Sequence, residues 1–355
     1  MVLNSGENRV DEARVVNPFI NLQTIPDPQE LIDKAFRRAG KAVVKTRAHL
    51  RGKPRAFVVK KVEEQKIRVA HQVLSDNLKK VLRQAPRLES LHPFHHELVD
   101  LLVGVDKYKK ALGAIAWAVK ALRTVELETT RETRRTRTLE EVYSAKKAAY
   151  GRYSAIIRRI GGELSFLSSK RGLLRQLPNI RVDIPSVVIA GYPNVGKTSL
   201  LSQLTGSNPA IAPYPFTTKG IQIGYLAVGS REYQIIDTPG LLDRPLSKRN
   251  PIERQAICAL VHIANLVLFM FDPSTTCGYP ISSQKTLYSQ IRELLGSATI
   301  IPIANKIDLV GEEALTPIKE LDPIPVSAST GEGVSKVREY ICAYTKNIPK
   351  RLEPG

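Results

Sequence analysis

Residues 191–198, GYPNVGKT, follow the pattern G-x-x-x-x-G-K-[ST]. Glycines at this spacing let backbone N–H groups turn inward around phosphate oxygens, and the positive end of a following helix adds to the attraction. The sequence predicts an apolar strand before the pattern, at residues 187–190, and a helix after it, from Lys197 to Thr205. We therefore expect a phosphate-binding loop rather than an ordinary glycine-rich turn. In such a loop Lys197 lies along the β- and γ-phosphates and the Thr198 hydroxyl is a ligand of Mg²⁺.

A second apolar strand, at residues 233–236, runs into the sequence DTPG. We expect Asp237 to hold Mg²⁺ through a water molecule and the amide of Gly240 to contact a γ-phosphate. The segment at residues 214–219, YPFTTK, lies between the two patterns and is expected to close over the γ-phosphate. Thr218 is our candidate for a further Mg²⁺ ligand, with Thr217 as the alternative, and a proline-rich loop without a ligand role is the other interpretation.

The sequence NKID at residues 305–308 follows an apolar strand at residues 300–304 and can recognise a purine base. The Asp308 carboxylate can accept hydrogen bonds from N1–H and the 2-amino group of guanine, whereas adenine would leave it unpaired. Lys306 is expected to pack over the base, and the sequence SAS at residues 327–329 to supply an amide for the guanine carbonyl. Each short pattern alone is weak evidence, but five in this order predict a domain that binds GTP and GDP.

The residues assigned to the nucleotide are Gly191, Asn194, Val195, Gly196, Lys197, Thr198, Ser199, Asp237, Gly240, Asn305, Lys306, Asp308, Ser327, Ala328 and Ser329. Those assigned to catalysis are Lys197, Thr218 and Gly240. The predicted Mg²⁺ ligands are Thr198, Thr218 and, through water, Asp237.

Elements of two kinds must position these residues. Apolar residues at helical spacing fill residues 27–175 and predict an antiparallel α-helical bundle. The predicted helices run from Asp27–Pro28 to Gly40 and over residues 54–84, 93–103, 106–128 and 139–175. After Pro185, short apolar runs alternate with helical segments, which predicts an α/β domain with a mostly parallel sheet. Together with the nucleotide motifs above, this makes it an expected P-loop GTPase domain. The strands expected there are residues 187–190, 221–228, 233–236, 266–271, 300–304 and 324–326, with a hairpin around Gly229-Ser230.

We therefore divide the 355-residue chain into a polar arm (1–26), a basic helical bundle (27–180), a GTP-binding domain (181–347) and a short tail (348–355). Nearly all of the net charge of +19 lies in the first half, since residues 1–180 contain 36 Lys and Arg against 19 Asp and Glu. Such a surface attracts a polyanion, either nucleic acid or an anionic membrane, unless it only solvates the protein. Aromatic residues are sparse in this half, so we expect recognition of an RNA backbone rather than of stacked bases.

The basic residues gather in two places that are candidate RNA contacts. The first covers the first helix and the connection after it, and the second is a threonine-rich stretch predicted to be a loop between two long helices. Their members are Lys34, Arg37, Arg38, Lys41, Lys45, Arg47, Arg51, Lys53 and Arg55 in the first, and Arg131, Arg134, Arg135 and Arg137 in the second.

Several other functions are disfavoured by the sequence. The three cysteines, Cys258, Cys277 and Cys342, form no C-x-x-C pair and are expected to be buried thiols in a reducing compartment. His92, His95 and His96 are grouped, but no separate stretch supplies obvious further metal ligands. The N-terminus has no apolar core of signal-peptide length, and no stretch is long and apolar enough to span a membrane.

At this point the sequence resembles a known family, the Nog-type GTPases of the Obg–HflX group, which are the nucleolar G-proteins and their archaeal relatives. The likeness is carried by GYPNVGKT, PYPFTTKG, DTPGLLDRPLSKRNPIERQAICAL and DPSTTCGY, and in the helical half by DPQELIDKAFRRAGKA, SLHPFHHELVDLL and YKKALGAIAWA. It covers about residues 25–345. The chain ends soon after the last predicted helix, so we expect the short form without the long C-terminal extension of the eukaryotic members.

The resemblance implies a cytoplasmic, monomeric GTPase that acts in assembly of the large ribosomal subunit or its precursor. It implies that the helical domain docks on rRNA, with ribosomal proteins or assembly factors as further partners. It also suggests that Asn194 coordinates K⁺. Two alternatives stay open, a non-catalytic RNA-binding scaffold with a structural nucleotide and a GTPase at an anionic membrane surface.

Leu241 stands where many small GTPases have a glutamine that orients the attacking water. A leucine cannot form the hydrogen bond that this task needs, so we expect slow intrinsic hydrolysis. Four basic residues follow DTPG, and we interpret them as part of a solvated or rRNA-contacting loop rather than as catalytic groups. They are Arg244, Lys248, Arg249 and Arg254.

Overall fold

The computed structural model describes residues 17–206, 209–215, 217, 220–229, 231–244, 249–295 and 298–345. Thr218 and Lys248 lie outside these ranges. The chain forms two compact units. The helical unit contains Phe19–Leu88 and Val103–Arg175, and the α/β unit contains Glu89–Leu102 and the described part of the chain from Gln176 onward. Residues 89–102 thus group with the α/β unit, although the sequence predicts them within a bundle at residues 27–180.

Six α-helices precede the sheet among the described residues. They are α1 (Pro28–His49), α2 (Arg55–Gln84), α3 (Pro93–Val103), α4 (Val105–Arg135), α5 (Leu139–Arg159) and α6 (Gly161–Arg175). All except α3 build the helical unit, in which α2 packs against α1, α4 and α5. Its core includes the fully buried rings of Tyr108 and Tyr153 together with aliphatic side chains such as Leu74. The prediction of an N-terminal helical domain is confirmed.

Local capping explains where these helices begin. The Asp27 carboxylate accepts hydrogen bonds from the amides of Gln29 and Glu30, and Pro28 occupies the first turn of α1. At the start of α5, Thr138 and Glu141 form a reciprocal capping box. Both arrangements satisfy amides that have no partner within the helix.

Three predicted helix ends were wrong. α1 continues past Gly40 because a glycine inside a helix costs only about 1 kcal/mol and the apolar stripe resumes at the buried Val43. α4 extends through the threonine-rich stretch to Arg135, so Arg131, Arg134 and Arg135 lie on a helix rather than in a loop. The last predicted helix is two helices, since α5 ends before Ile160 and α6 begins at residue 161.

The only tryptophan of the chain lies in the helical unit. Trp117 is on α4 and 41% of its surface is exposed. The Arg159 guanidinium lies over its ring, 4.7 Å from the ring centroid. A cation in this position is attracted by the electron-rich face of the indole, so the two side chains tie α4 to the end of α5.

The α/β unit is built on a sheet with seven strands among the described residues. They are β1 (Ser186–Ala190), β2 (Ala210–Ala212), β3 (Ile221–Val228), β4 (Arg231–Asp237), β5 (Ala264–Phe271), β6 (Thr299–Ala304) and β7 (Ile324–Pro325). The strand order is β2-β3-β4-β1-β5-β6-β7. β1 is parallel to β4 and β5, and β5, β6 and β7 are parallel, whereas β2, β3 and β4 pair antiparallel. The predicted α/β domain with a mostly parallel sheet is confirmed.

In the described part of this unit, four α-helices connect these strands or follow them. They are α7 (Lys197–Thr205), α8 (Pro251–Ile263), α9 (Ile281–Leu295) and α10 (Val334–Thr345). Every residue of β1 is buried, as expected for the central strand of a sheet covered on both faces. Five strands are parallel, namely β1, β4, β5, β6 and β7, so their carboxyl ends lie at the same edge of the sheet. Polar side chains from separate parts of the chain can converge at this edge.

Helix α3 contributes a buried histidine to the α/β unit. His95 is 3% exposed, and its Nε2 has no hydrogen-bond partner in the described part of the chain. The neighbouring Phe94 ring contacts Tyr214, whose hydroxyl donates to the carbonyl of Ala256 on α8 at 2.7 Å. Burial, with a smaller contribution from His92, lowers the pKa of His95 to about 4. The imidazole is therefore neutral in the folded protein well below the pH at which a free histidine is protonated.

We expect His95 to make the fold sensitive to acid. The unfolded chain takes up a proton near pH 6.5 and the folded chain only near pH 4, so stability is complete above this window and falls as the pH drops through it. The loss should be about 3 kcal/mol of unfolding free energy. His95→Gln should remove most of this dependence in denaturant titrations at several pH values, whereas His49→Gln, at an exposed position, should leave it unchanged. An unchanged pH profile in His95→Gln would contradict the assignment.

Candidate functional site

The phosphate loop joins β1 to α7 through backbone conformations that favour glycine. Gly191 and Gly196 have φ angles of 134° and 99°. A Cβ atom at Gly196 would lie 2.3 Å from Asn305 Nδ2, and one at Gly191 would lie 2.6 Å from the carbonyl oxygen of Met270. Both glycines are thus required by close neighbours as well as by φ.

Replacement of Gly196 by alanine should therefore be costly. We expect Gly196→Ala to lose about 2–4 kcal/mol of unfolding free energy, because the strained φ and the clash with Asn305 act together. Gly206 is a matched control, since it has a φ of 66° but open space where a Cβ atom would lie. Gly206→Ala should lose only about 1 kcal/mol in the same chemical denaturation experiment. Equal losses would show that the contact with Asn305 contributes nothing.

Lys197 lies within the loop that it is predicted to complete. Its Nζ donates to the carbonyls of Gly191 and Tyr192 at 2.8 and 2.7 Å. The side chain is buried, which lowers the pKa of Lys197, while the carboxylates of Asp237 and Asp243 act in the opposite direction. The ammonium group is therefore positioned at the centre of the loop by backbone oxygens.

Thr198 and Asp237 lie side by side at the carboxyl edge of the sheet. Thr198 Oγ1 donates to Asp237 Oδ2 at 2.7 Å. Asp237 is fully buried, and its Oδ1 has no hydrogen-bond partner within the described ranges. Burial raises the pKa of Asp237, an effect that the Thr198 hydroxyl and Lys197 oppose. An orphaned carboxylate oxygen beside a hydroxyl is a donor set that fits Mg²⁺.

The segment after DTPG is held by a buried arginine. Arg249 donates to the carbonyls of Gly240 and Leu241 and forms an ion pair with Asp243 at 2.9 Å. Its side chain is fully buried, so the prediction that Arg249 belongs to a solvated loop was wrong. Leu241 is also buried, with 1% exposure, which agrees with its inability to orient water. No local pattern in the sequence indicates that Arg249 binds backbone carbonyls.

The predicted second ligand for Mg²⁺, Thr218, lies outside the described residues. Its alternative, Thr217, is described, and its Oγ1 donates to the carbonyl of Tyr214 at 2.9 Å. Thr217 thereby stabilises the turn at the start of this segment. The role of either threonine as a ligand stays a prediction.

Asn305 directly follows β6 and connects its own loop with the phosphate loop and with the loop at residues 327–329. Its Nδ2 donates to the carbonyl of Val195 at 2.7 Å, and its Oδ1 accepts the amide of Ala328 at 2.9 Å. Asn305 is buried with 2% exposure. The phosphate loop and the 327–329 loop are therefore connected through one side chain, which positions both for a single ligand.

Lys306 is held by an aspartate that the sequence motifs did not point to. Lys306 Nζ donates to Asp272 Oδ2 at 2.7 Å and to Thr276 Oγ1 at 2.8 Å. Asp272 is fully buried and also accepts the amides of Ser274 and Cys277. Burial alone would raise the pKa of Asp272, but the hydrogen bonds from Lys306 and Ser274 outweigh it, so the pKa lies below its ordinary value. Asp272 lies directly after the buried strand β5, much as Asp237 ends β4, and this position could have identified it from the sequence.

Asp308 remains exposed beside the 327–329 loop. Ser329 Oγ donates to Asp308 Oδ2 at 3.3 Å, and the hydroxyls of Ser327 and Ser329 are 2.9 Å apart. Hydrogen bonding, first from Ser327, lowers the pKa of Asp308, so its carboxylate is ionised and can accept hydrogen bonds. The amide of Ala328 is engaged by Asn305, and the contact of this loop with a guanine carbonyl stays a prediction.

The structure thus brings together predicted residues from four separate stretches, at residues 191–199, 237–240, 305–308 and 327–329. Asn194 and Ser199 are exposed on the same loop and helix start, and Asn194 has a φ of 62°. The described residues contain no group of histidine, cysteine and carboxylate side chains suited to a metal, and the histidines near α3 form no such group. The cysteines are free thiols, and Cys277 is buried, but Cys258 and Cys342 are only partly buried, so the prediction of burial was wrong for these two.

Basic residues in the helical unit fall into two classes. Arg37, Arg38, Lys41 and Arg47 are exposed on α1. Others are held by buried carboxylates, since Glu64 pairs with Lys61, Arg68 and Arg134, and Glu126 pairs with Arg68 and Arg123. These ion pairs offset part of the positive charge and orient the guanidinium groups. Within the described ranges, no helix is long and apolar enough to cross a membrane.

Two family models match the chain. The one described as the NOG1 N-terminal helical domain matches residues 19–181, and the one described as nucleolar GTP-binding protein 1 (NOG1) matches residues 251–308. The matches lie in the two parts of the chain that the sequence separates into helical and α/β regions.

Similar proteins extend over most of the chain. An uncharacterized protein of Methanocaldococcus jannaschii is 44% identical over 85% of this chain and 84% of its own length. The probable nucleolar GTP-binding protein 1 of Dictyostelium discoideum is 32% identical over 96% of this chain and 52% of that protein. The nucleolar GTP-binding protein 1 of Drosophila melanogaster is 33% identical over 91% of this chain and 51% of that protein. The chain therefore spans about half the length of these nucleolar relatives.

Solved structures match about half of the chain. A nucleolar GTP-binding protein 1 structure from Plasmodium falciparum has 34% identity and a TM-score of 0.43, and it covers 48% of this chain and 91% of that chain. The G domain of the Thermotoga maritima FeoB iron transporter has 28% identity and a TM-score of 0.37, and it covers 46% of this chain and 99% of that chain. With both family models matched and a 44% identical relative along most of its length, the chain belongs to the NOG1 family.

Proposed function

We propose that the chain binds GTP and GDP with Mg²⁺ and hydrolyses GTP slowly. The observation that carries this proposal is the convergence of the phosphate loop, Asp237 and residues 305–308 at the carboxyl edge of one sheet. The names of the nucleolar relatives support it, since they are GTP-binding proteins. We assign the family to the Obg–HflX group of P-loop GTPases on the same motifs.

Each part of the site has a proposed task. The loop amides and Lys197 would hold the β- and γ-phosphates, and Asp308 with Lys306 would select guanine. Thr198, and Asp237 through water, would hold Mg²⁺, which neutralises charge on the phosphate oxygens. Because the buried Leu241 cannot orient water, hydrolysis would depend on a group supplied by a partner or on K⁺ at Asn194.

The K⁺ proposal has a direct test. Turnover measured in KCl should exceed turnover in NaCl at the same ionic strength, and Asn194→Ala should abolish the difference. Equal rates in the two salts would exclude a role for K⁺. Nucleotide affinity of Asn194→Ala, measured in parallel, separates loss of the cation from loss of the nucleotide.

We propose further that the protein is a cytoplasmic monomer that acts as a nucleotide-controlled switch in assembly of the large ribosomal subunit. Residues 27–180 would dock on rRNA, and the exposed basic face of α1 supports this because it presents cations to phosphates on a rigid element. Ribosomal proteins or assembly factors would be the further partners. Residues 181–347 would be the domain that changes state on hydrolysis.

Cosedimentation tests the assembly proposal. The protein is mixed with large ribosomal subunits or with naked rRNA, in GDP, a non-hydrolysable GTP analogue or no nucleotide, across a salt series. Binding that depends on nucleotide and survives salt better on subunits supports the switch. Binding that ignores nucleotide and fades equally on any polyanion favours a scaffold, and pelleting with anionic liposomes would favour a membrane surface.

A further inference from the structure

The amide that is predicted to contact a γ-phosphate already has a partner in this structure. The N–H of Gly240 donates to Asp243 Oδ2 at 2.8 Å. Gly240 has a φ of 81°, a left-handed conformation that glycine adopts without steric cost. An anionic oxygen from the chain itself therefore occupies the hydrogen bond that the third phosphate of GTP would need.

Arg249 holds this arrangement in place. The other oxygen of the same carboxylate, Asp243 Oδ1, accepts from Arg249 at 2.9 Å, and the same guanidinium also binds the carbonyls of Gly240 and Leu241. The Arg249 side chain is completely buried, and that of Asp243 is only 15% exposed. A charge-assisted pair shielded from water is stronger and better oriented than a surface pair.

The charge of the Asp243 carboxylate also acts on the predicted phosphate site. Asp243 contributes to the shifted pKa values of both Lys197 and Asp237, so its charge acts on the two groups that flank the predicted γ-phosphate. The adjacent carbonyl of Leu242 accepts the amide of Gly191 at 3.0 Å, which joins this turn to the start of the phosphate loop. A second anion brought to this place would meet both an occupied amide and a like charge.

We infer that Asp243, held by Arg249, takes the place of a γ-phosphate oxygen on the Gly240 amide and biases the site toward a nucleoside diphosphate. This inference rests on the proposed function, because it concerns the choice between GDP and GTP. A triphosphate must displace the Asp243 carboxylate, whereas a diphosphate leaves it in place. Asp243 is thus a specificity-determining residue and Arg249 a positioning residue that acts through it.

The test compares affinities for GDP and for a non-hydrolysable GTP analogue, with Mg²⁺, by isothermal titration calorimetry. Asp243→Asn keeps the shape of the side chain but removes its charge, and Asp243→Ala also removes the acceptor. Both should raise the affinity for the GTP analogue relative to GDP, by about tenfold for the alanine variant. Arg249→Lys, which cannot reach all three acceptors, should shift the ratio in the same direction but less. Asp322→Asn, at an exposed position of the same unit, is the matched control.

The outcomes separate this inference from the function on which it rests. If the unaltered chain binds neither nucleotide, the proposed function fails. If it binds both and the ratio in all three variants stays within about twofold of the unaltered protein, the inference is overturned. A fall in affinity for the GTP analogue alone would also overturn it, because Asp243 would then help to hold the triphosphate. Thermal unfolding followed by circular dichroism checks that each variant is folded.

Discussion

Asp308→Asn should lower the affinity for GTP by at least about a hundredfold and create affinity for xanthosine triphosphate. In the proposed site the ionised carboxylate would accept two hydrogen bonds from guanine, whereas the asparagine amide would place an N–H group against the 2-amino donors. Xanthine has a carbonyl at that position, which the amide can pair. Isothermal titration calorimetry with GTP, XTP and ATP measures this change in base specificity.

One control variant and two contradicting outcomes test the Asp308 prediction. Asp322→Asn makes the same chemical change at an exposed site outside the predicted contacts and should leave all three affinities unchanged. A loss of GTP binding without any gain of XTP binding would mean that Asp308 supports the loop rather than reading the base. Unchanged GTP affinity would remove Asp308 from the site.

Asp272→Ala should cost about 3–5 kcal/mol of unfolding free energy and weaken guanine nucleotide binding. The change removes the acceptor of Lys306 Nζ and of two backbone amides, so buried donors lose their partner. Since the pKa of Asp272 is lowered in the folded protein, its contribution is complete above the ordinary range of an aspartate and is lost as the pH falls through the folded value. Denaturant titrations and nucleotide titrations on the same samples give both effects.

A double-mutant cycle separates the pair from its surroundings. Lys306→Ala alone should also destabilise the fold, because it leaves the Asp272 carboxylate buried without its cation. The double variant should lose less than the sum of the two single losses, since each change removes the same interaction. Strict additivity would show that Asp272 does not act through Lys306.

The sequence predicted the central features of the fold because apolar runs and polar residues alternate clearly there. Strands β1, β5 and β6 are mainly apolar, whereas β3 and β4 also contain polar residues such as Gln222 and Gln234. The carboxyl ends of the parallel strands β1, β4, β5 and β6 meet by topology. The edge strand β2 was not predicted, since it has three largely exposed residues and no alternating pattern. The end of α4 was missed because Thr129, Thr130 and Thr133 have low helix propensity, which their burial overrides.

The contacts within the site were harder to predict from the sequence than the strands and helices. Asp272 could have been found by the rule that identified Asp237, since each lies at the carboxyl end of a buried strand. Arg249 could not, because nothing in a run of basic and polar residues distinguishes a buried guanidinium from a solvated one. The hydrogen bond between Asp243 and the Gly240 amide depends on a turn whose conformation no local pattern specifies.

Trp117 can serve as an intrinsic fluorescence probe of the helical unit. Because it is the only tryptophan and lies on α4, intrinsic tryptophan emission reports on the helical unit and contains no signal from the α/β unit. Its partly exposed ring and the cation over its face make that emission responsive to small movements of α4 and α5. A change in emission on adding a nucleotide would therefore measure, in solution and without a label, how far the helical unit responds to events at a site in the other unit.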